Sequence, residues 1–510
     1  MQRGVASNVL WNWGGTLTHL LAGFLVMRFL VRHLGPATYG LWILIASLTG
    51  YFSVLDLGIG GSVARNLAFH RSRNDMDGVN RLLSTALAIL LGVAAVAVLA
   101  TFGVLAVFFR IIDVPTDQVD AVAAAVLLVG VNLALSFPLG IFSGILWAYE
   151  RFDLQNRVDV PTVILRAALS VWCVDQGGGL LALALITLAT SLGQGVAKAW
   201  LCYRIEPRLR FNPKLLDAAS GRTLFGYGVW YFLLSLSRTI TPQISPTLVG
   251  NRLGAALVTA LRIPMQLTTY ANTFLIAGTQ VLTPVATGHH AMDKTDDQRR
   301  LFLDGGKYSL FLALGFVTLF GWLGEPLIRL WMGEDYVYTW TFLMVLALGE
   351  LLPMSQWVSY SVILGMGKHK AMALLSLVEN VTTVALTWFL VQSHGLLGVC
   401  IAVAVPGLIS RGVCQWWYCC GLVGVSPWTS LCRTFAPTLL LGVPSATLLA
   451  AWTWCFPVDS WLRLFVAGAV YGVAFVLTAG LGLLGVERCR NLLGLGGKTE
   501  ALAATTSNAS

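Results

Sequence analysis

The 510-residue chain is 56% hydrophobic and only 11% charged, with a mean hydropathy of +0.75. A soluble domain carries about a quarter charged residues, so this composition excludes a surface covered by water and predicts an all-α polytopic membrane protein. The net charge of +9 does not point to nucleic acid, because the cations sit in short connections between apolar segments, the pattern of the positive-inside rule.

Fourteen apolar segments follow one another, at 9–31, 41–62, 83–109, 121–147, 160–175, 179–202, 227–249, 254–286, 308–331, 338–365, 371–392, 396–422, 434–455 and 461–485. Most reach the ~20 residues needed to cross a bilayer. The first is too long for a signal h-region of about 7–15 residues and lacks a cleavage site after it, so it is expected to stay as a membrane helix. Segment 1 carries Asn12, Thr16 and His19, and segment 2 carries Ser53 and Asp56. Segment 7 carries Arg238 ahead of Pro242 and Pro246; segment 8 carries Arg262, Gln266 and Thr269 between Pro264 and Pro284. Glu350 lies in segment 10 and Glu379 in segment 11. After Asn491 the chain is rich in Gly, Ala, Ser and Thr without apolar period, which predicts a disordered tail over 491–510.

Alternate connections differ sharply in charge. Those on one side, with the two ends of the chain, hold 22 Lys and Arg, and those on the other hold five. The asymmetry predicts that both termini face the cytoplasm and that the chain is a multi-pass protein of the cell inner (plasma) membrane. No connection is long enough to house a catalytic domain. Asp75-Met76-Asp77 is three residues in a charged turn, His289-His290 lacks ligand spacing, and no P-loop occurs. No enzyme, cofactor, catalytic residue or metal is therefore expected. The nine scattered cysteines read as small packing residues.

A shift of 219 residues superposes the two halves. It carries Leu34-Gly35-Pro36-Ala37 onto Leu253-Gly254-Ala255-Ala256, Arg110 onto Arg329, and Gly179 onto Gly398. Because transporters are often built from repeats, this predicts an N-terminal lobe over 1–222 (segments 1–6) and a C-terminal lobe over 223–432 (segments 7–12). Segments 13 and 14 over 433–490 are then additions.

Polar groups in hydrocarbon usually face a bundle interior or a water-filled cavity. The stripes on segments 1, 2, 7 and 8 occupy equivalent places in the two halves, so Asn12, Thr16, His19, Ser53, Arg238, Arg262, Gln266 and Thr269 are candidate cavity residues. Guanidinium groups suit phosphate oxygens, which makes Arg238 and Arg262 candidates for holding an anionic substrate. A structural ion pair, for instance with Asp56, is the other reading. Asp56, Glu350 and Glu379 are candidates for coupling or charge balance.

The run "RFLVRHLGPATYGLWILIASLTGYFSVLDLGIGGSVARNLA" (Arg28–Ala68) resembles the opening of the Wzx-type polysaccharide flippases, relatives of the MATE exporters and lipid II flippases in the MOP superfamily. The matching residues are Arg32, Leu34-Gly35, Tyr39-Gly40, Leu55-Asp56-Leu57-Gly58 and Arg65. "PLIRLWMGEDY" (Pro326–Tyr336), Gly365-Met366-Gly367-Lys368 and Gly395-Leu396-Leu397-Gly398 are similar to further family motifs. The resemblance implies ~14 transmembrane helices, with two six-helix lobes in a V-shape that rock by alternating access. It also implies two additional C-terminal helices beside the lipid path. It implies a polyprenyl-pyrophosphate-linked oligosaccharide as substrate, moved to the outer leaflet for O-antigen or exopolysaccharide biosynthesis. The bilayer and polysaccharide polymerase machinery are the candidate partners. Thr241-Pro242-Gln243-Ile244-Ser245-Pro246 departs from the family, which often has an acidic residue there. A cation or drug exporter on the same fold predicts acids in its cavity. A membrane polymerase or glycosyltransferase predicts a large catalytic loop.

Overall fold

A computed structural model describes the backbone of residues 2–53, 55, 59–149, 151–279, 282–479 and 482. The side chains at 2–13, 48, 49, 53, 61, 64, 65, 68, 72, 225–242, 284, 369 and 479 are outside that description. The described residues contain helices and turns but no strand. The helices are α1 (Gln2–Ser53), α2 (Ile59–Ser72), α3 (Met76–Ile111), α4 (Val119–Ala148), α5 (Phe152–Asp175), α6 (Leu180–Ile205), α7 (Ala218–Leu253), α8 (Ala255–Thr279), α9 (Leu282–Ala291), α10 (Thr295–Met332), α11 (Thr339–Ser355), α12 (Trp357–Gly365), α13 (His369–Gly407), α14 (Gln415–Val423), α15 (Pro427–Ser430), α16 (Ala436–Cys455) and α17 (Trp461–Ala479). The chain is thus an all-α polytopic membrane protein.

Among the described residues, nine helical stretches are long and apolar enough to cross a membrane. Two of them, Gly14–Phe52 and Lys370–Val423, each hold two of the expected segments. Gly35 (φ 78°, ψ 162°) divides the helix in the first and Gly395 (φ 56°, ψ −137°) divides it in the second. Only glycine adopts such dihedrals without strain, and Pro36 then starts the next helix in the place proline favours. The other three expected segments, in α5, α7 and α8–α9, are missing from the nine; all three carry intramembrane arginines or a dense polar stripe.

Several hydroxyls inside the helices are satisfied within their own helix. Ser47 bonds to the Ile43 carbonyl, Thr101 to Ala97 and Thr268 to Pro264, the back-bonding by which a helix tolerates Ser and Thr in an apolar setting. Cys202, Cys400, Cys419 and Cys420 are buried free thiols.

The chain divides into two compact units: Met1–Arg262 with Ser376–Ala402, and Ile263–Leu375 with Val403–Ser510. The first has an apolar core of Leu67 from α2, Leu83 and Ala86 from α3, and Ile141 and Ile145 from α4. The 206–217 connection is laid onto a buried polar strip of α3. Asn80 bonds to Arg208 and Arg210, Ser84 to Asn212, and Thr85 to Asp217. In the second unit, α16 and α17 pack on α10. There Leu323, Leu449 and Ala467 are buried together, the Phe311 and Phe475 rings stack at 4.0 Å, and the Tyr471 hydroxyl donates to the Gly315 carbonyl at 3.1 Å.

The 219-residue shift recurs in the backbone. Gly35 (78°, 162°) and Gly254 (92°, 161°) share one conformation. α3 begins at Met76 and α10 at Thr295, each directly after a turn with a left-handed residue, Asn74 (φ 54°) and Asp293 (φ 52°).

Candidate sites within the membrane helices

The first unit holds a polar seam between α5 and α6. Lys198 Nζ lies 2.7 Å from Asp159 Oδ1 and 3.1 Å from Ser143 Oγ of α4. Gln194 Nε2 donates to the same carboxylate oxygen at 2.6 Å. The Lys198 side chain is only 8% exposed, and a buried ammonium persists only when paired and hydrogen-bonded in this way. Two turns along α5, the guanidinium of Arg166 donates from Nε to Thr190 Oγ1 at 2.9 Å and from Nη2 to Ser191 Oγ at 3.0 Å. The Thr190 hydroxyl itself donates a hydrogen bond to the Ile186 carbonyl. Among the described residues no carboxylate pairs with Arg166. The two hydroxyls fix the fork without neutralising it.

The second unit holds a closed network around Glu350 of α11. Arg411 donates twice to its carboxylate, from Nη2 to Oε1 at 2.6 Å and from Nη1 to Oε2 at 3.0 Å. Asn272 of α8 donates to Oε2 at 3.2 Å and accepts from Trp357 Nε1 at 3.2 Å. Arg411 sits in a π-helical stretch, Leu408–Cys414, a local widening frequent at functional sites. Small residues let these helices close up. A Cβ on Gly349 would overlap Ala404, and one on Gly412 would lie 3.0 Å from Leu352 Cβ. This is the close approach that small residues permit between membrane helices.

Glu350 is a partner of Arg411, which the polar stripes did not point to. On α8, Arg262 and Gln266 are half-buried, and Thr269 is exposed with its hydroxyl bonded to the Met265 carbonyl at 2.7 Å. Among the described residues Arg262 has no ion pair or hydrogen bond. On α1, Thr16 is half-buried and His19 exposed. Glu379 is half-buried on α13. Asp56 and the side chains of Asn12, Ser53 and Arg238 lie outside the described residues. Sequence reasoning passed over Asp159, Arg166, Lys198 and Arg411. The signal was available: once the connections and chain ends take their 27 cations, six of the 33 remain inside apolar segments, and Arg166, Lys198 and Arg411 are three of them.

Fold and sites together define a multi-spanning membrane protein with charged groups paired inside its helices. Residues 5–290 match the model of the polysaccharide biosynthesis protein family. That is more than half of the chain, and the chain belongs to this family. It is 22% identical over 428 residues to a Shigella flexneri protein named for O-antigen transport, across 81% of this chain and 97% of that one. The fold is similar to that of the lipid II flippase MurJ in an inward closed conformation, with a TM-score of 0.73 and 12% identity over 93% of this chain and 98% of that one. It is similar also to an inward-facing MATE multidrug transporter of the MOP superfamily, with a TM-score of 0.68 and 16% identity over 80% and 94%.

Proposed function

We propose that the chain is a flippase that turns a polyprenyl-pyrophosphate-linked oligosaccharide from the cytoplasmic to the outer leaflet by alternating access, without enzymatic chemistry. Membership of the polysaccharide biosynthesis family and likeness to an O-antigen transporter and a lipid II flippase support this cargo class. The observation that carries it is Arg166, a guanidinium oriented by two hydroxyls at a membrane helix, with no carboxylate partner among the described residues. A positive charge kept in that way favours an anionic head group, and a guanidinium fork suits phosphate oxygens. Arg262, without an ion pair or hydrogen bond among the described residues, supports the same reading, and Arg238 on α7 is the further candidate. In this scheme Asn12, Thr16, His19, Ser53, Gln266 and Thr269 line the path of the sugars. Asp56, Glu350 and Glu379 serve coupling or charge balance. The two lobes are residues 1–222 and 223–432, with both termini cytoplasmic.

The test is transport by the purified protein in proteoliposomes loaded with a lipid-linked oligosaccharide, with the sugar exposed on the far leaflet as readout. Complementation of surface polysaccharide in a strain lacking its flippase is the companion measurement. Absence of turnover, with growth of the glycan chain instead, would overturn the reading in favour of a membrane polymerase. The MATE likeness of the fold supports one second reading, a cation or drug exporter. Export of organic cations by the same proteoliposomes, without lipid turnover, would establish it.

A further inference from the structure

The turn before α3 and the turn before α10 are related by the 219-residue shift, and they share a backbone. Asn74 N bonds to Arg71 O, Asp75 N to His70 O, Met76 N to Asn74 O and Val79 N to Asp75 O; Asp293, Lys294, Thr295 and Gln298 repeat these four bonds to His290, His289, Asp293 and Lys294. Their side chains differ. In the first turn the Asp75 carboxylate caps the helix, accepting from Gly78 N at 2.8 Å and meeting His70 Nδ1 at 2.9 Å. In the second turn, Lys294 replaces Asp75 and gives the helix no side-chain cap. His289, the counterpart of His70, keeps a buried Nδ1 without a hydrogen-bond partner among the described residues. Gln298, the counterpart of the buried Val79, is 4% exposed, and neither its Oε1 nor its Nε2 has a partner among the described residues.

These groups line one cavity of about 220 Å³, together with His290, Arg299 and Asp293. Arg299 is held there by a bond from Nε to the Val423 carbonyl at 2.9 Å and an ion pair with the exposed Asp296 at 3.2 Å. An uncapped helix N-terminus favours an anion. A buried amide and imidazole without partners incur a desolvation penalty that a ligand removes. The first turn identifies the group that suits such a position, an oxyanion carried there by Asp75. Gly421 and Leu422 also belong to an open apolar groove lined by Trp417, Tyr418, Val425 and Pro427. Trp and Tyr in such a place suit the head-group level of a bilayer.

We propose that the cavity at the start of α10 binds the phosphate head group of an anionic membrane lipid, whose chain lies along the Trp417–Tyr418 groove. The phosphate takes the place that the Asp75 carboxylate takes in the first half of the chain. It accepts from the Asp297 backbone N–H, the counterpart of Gly78, and from His289, Gln298 and Lys294.

Thermal unfolding of the delipidated full-length protein in detergent tests this, with dioleoyl phosphatidate, dioleoyl phosphatidylcholine and inorganic phosphate as probes. Phosphatidate should raise Tm, and the other two at equal concentration should not. Lys294→Asp restores the self-capping carboxylate, so it should raise Tm without lipid and weaken phosphatidate about tenfold, as loss of a charge-assisted contact does. Gln298→Val installs the first-half residue and should weaken phosphatidate in the same direction. An equal shift with phosphatidylcholine, or a full shift with inorganic phosphate alone, overturns the lipid assignment. Undiminished phosphatidate binding by Gln298→Val, or by a folded Lys294→Asp, overturns the site.

Discussion

Arg411 grips Glu350 at two points, 2.6 and 3.0 Å, and does so from a π-helical turn rather than a regular one. The pair is largely withdrawn from solvent, at 31% and 12% side-chain exposure, and Asn272 occupies a further lone pair of the carboxylate. Removing one member of such a pair strands the other. Glu350→Ala or Arg411→Ala should each destabilise the protein by roughly 3–5 kcal/mol. The double variant should lose less than the sum of the singles, because no unpaired charge remains. Thermal unfolding of the four proteins measures this, and strict additivity would refute the coupling.

The α5–α6 seam predicts two different phenotypes from neighbouring cations. Lys198 is neutralised by Asp159 and held by Ser143, so Lys198→Met should act on stability, with Asp159→Asn in the same chain recovering much of the loss. Arg166 has hydroxyl partners only. Arg166→Gln should therefore leave the protein folded at near wild-type yield while lowering oligosaccharide turnover, and Arg166→Lys should recover part of it, because lysine restores charge without the fork. Turnover in proteoliposomes at matched protein amount separates these outcomes. Unimpaired turnover by Arg166→Gln would remove Arg166 from the substrate path.

Hydropathy made the helices legible, because a run of about twenty apolar residues has few other uses in a chain with so few charges. The glycine junctions were legible as well: Leu34-Gly35-Pro36 and Leu253-Gly254 match in sequence because both need a dihedral pair open to glycine. The charged networks were harder to see. A stripe pattern finds several weak polar groups on one helix, whereas Lys198, Arg166 and Arg411 each stand alone among apolar neighbours and find their partners on another helix. Spacing along one chain segment carries no information about such a partner. Counting the cations left inside the segments would have named all three, though not Ser191, Thr190 or Glu350 as their partners.

Stability at low pH should be set outside the membrane spans. Asp217 is held below the ordinary carboxylate range by Ser220, through its hydroxyl and backbone N–H, and by Ala219 N–H. The Gly78 N–H and His70 do the same for Asp75, and Arg208 for Glu206. A depressed folded pKa stabilises fully above the unfolded value and is lost as pH falls through the folded one. Tm should therefore be insensitive to these groups down to about pH 5 and decline below about pH 4, near the unperturbed carboxylate values. Asp217→Asn should flatten the decline in a pH series of unfolding curves. A decline of the same steepness in Asp217→Asn and wild type would exclude Asp217 as a contributor.

The two halves also touch through equivalent residues. Thr259 Oγ1 donates to the Pro36 carbonyl at 2.7 Å, and the 219-residue counterparts of these two, Gly40 and Ala255, are themselves in contact, with no room for a Cβ between Gly40 and the Ala255 carbonyl. Reciprocity of this kind, with residue i meeting j′ while j meets i′, is what a two-fold relation produces. It gives Tyr39-Gly40 a physical reason beyond its place in the sequence pattern, since the second residue must lack a side chain. Gly40→Ala pushes a methyl into a backbone carbonyl that no rotamer can relieve, and should lower stability by at least the ~1–3 kcal/mol of an overpacked site. Thr259→Val keeps the shape and removes one hydrogen bond, for about 1 kcal/mol. Unfolding midpoints should rank wild type, Thr259→Val and Gly40→Ala in that descending order. A Gly40→Ala protein as stable as wild type would mean that the helix junctions at Gly35 and Gly254 do not meet as closely as the Thr259–Pro36 bond requires.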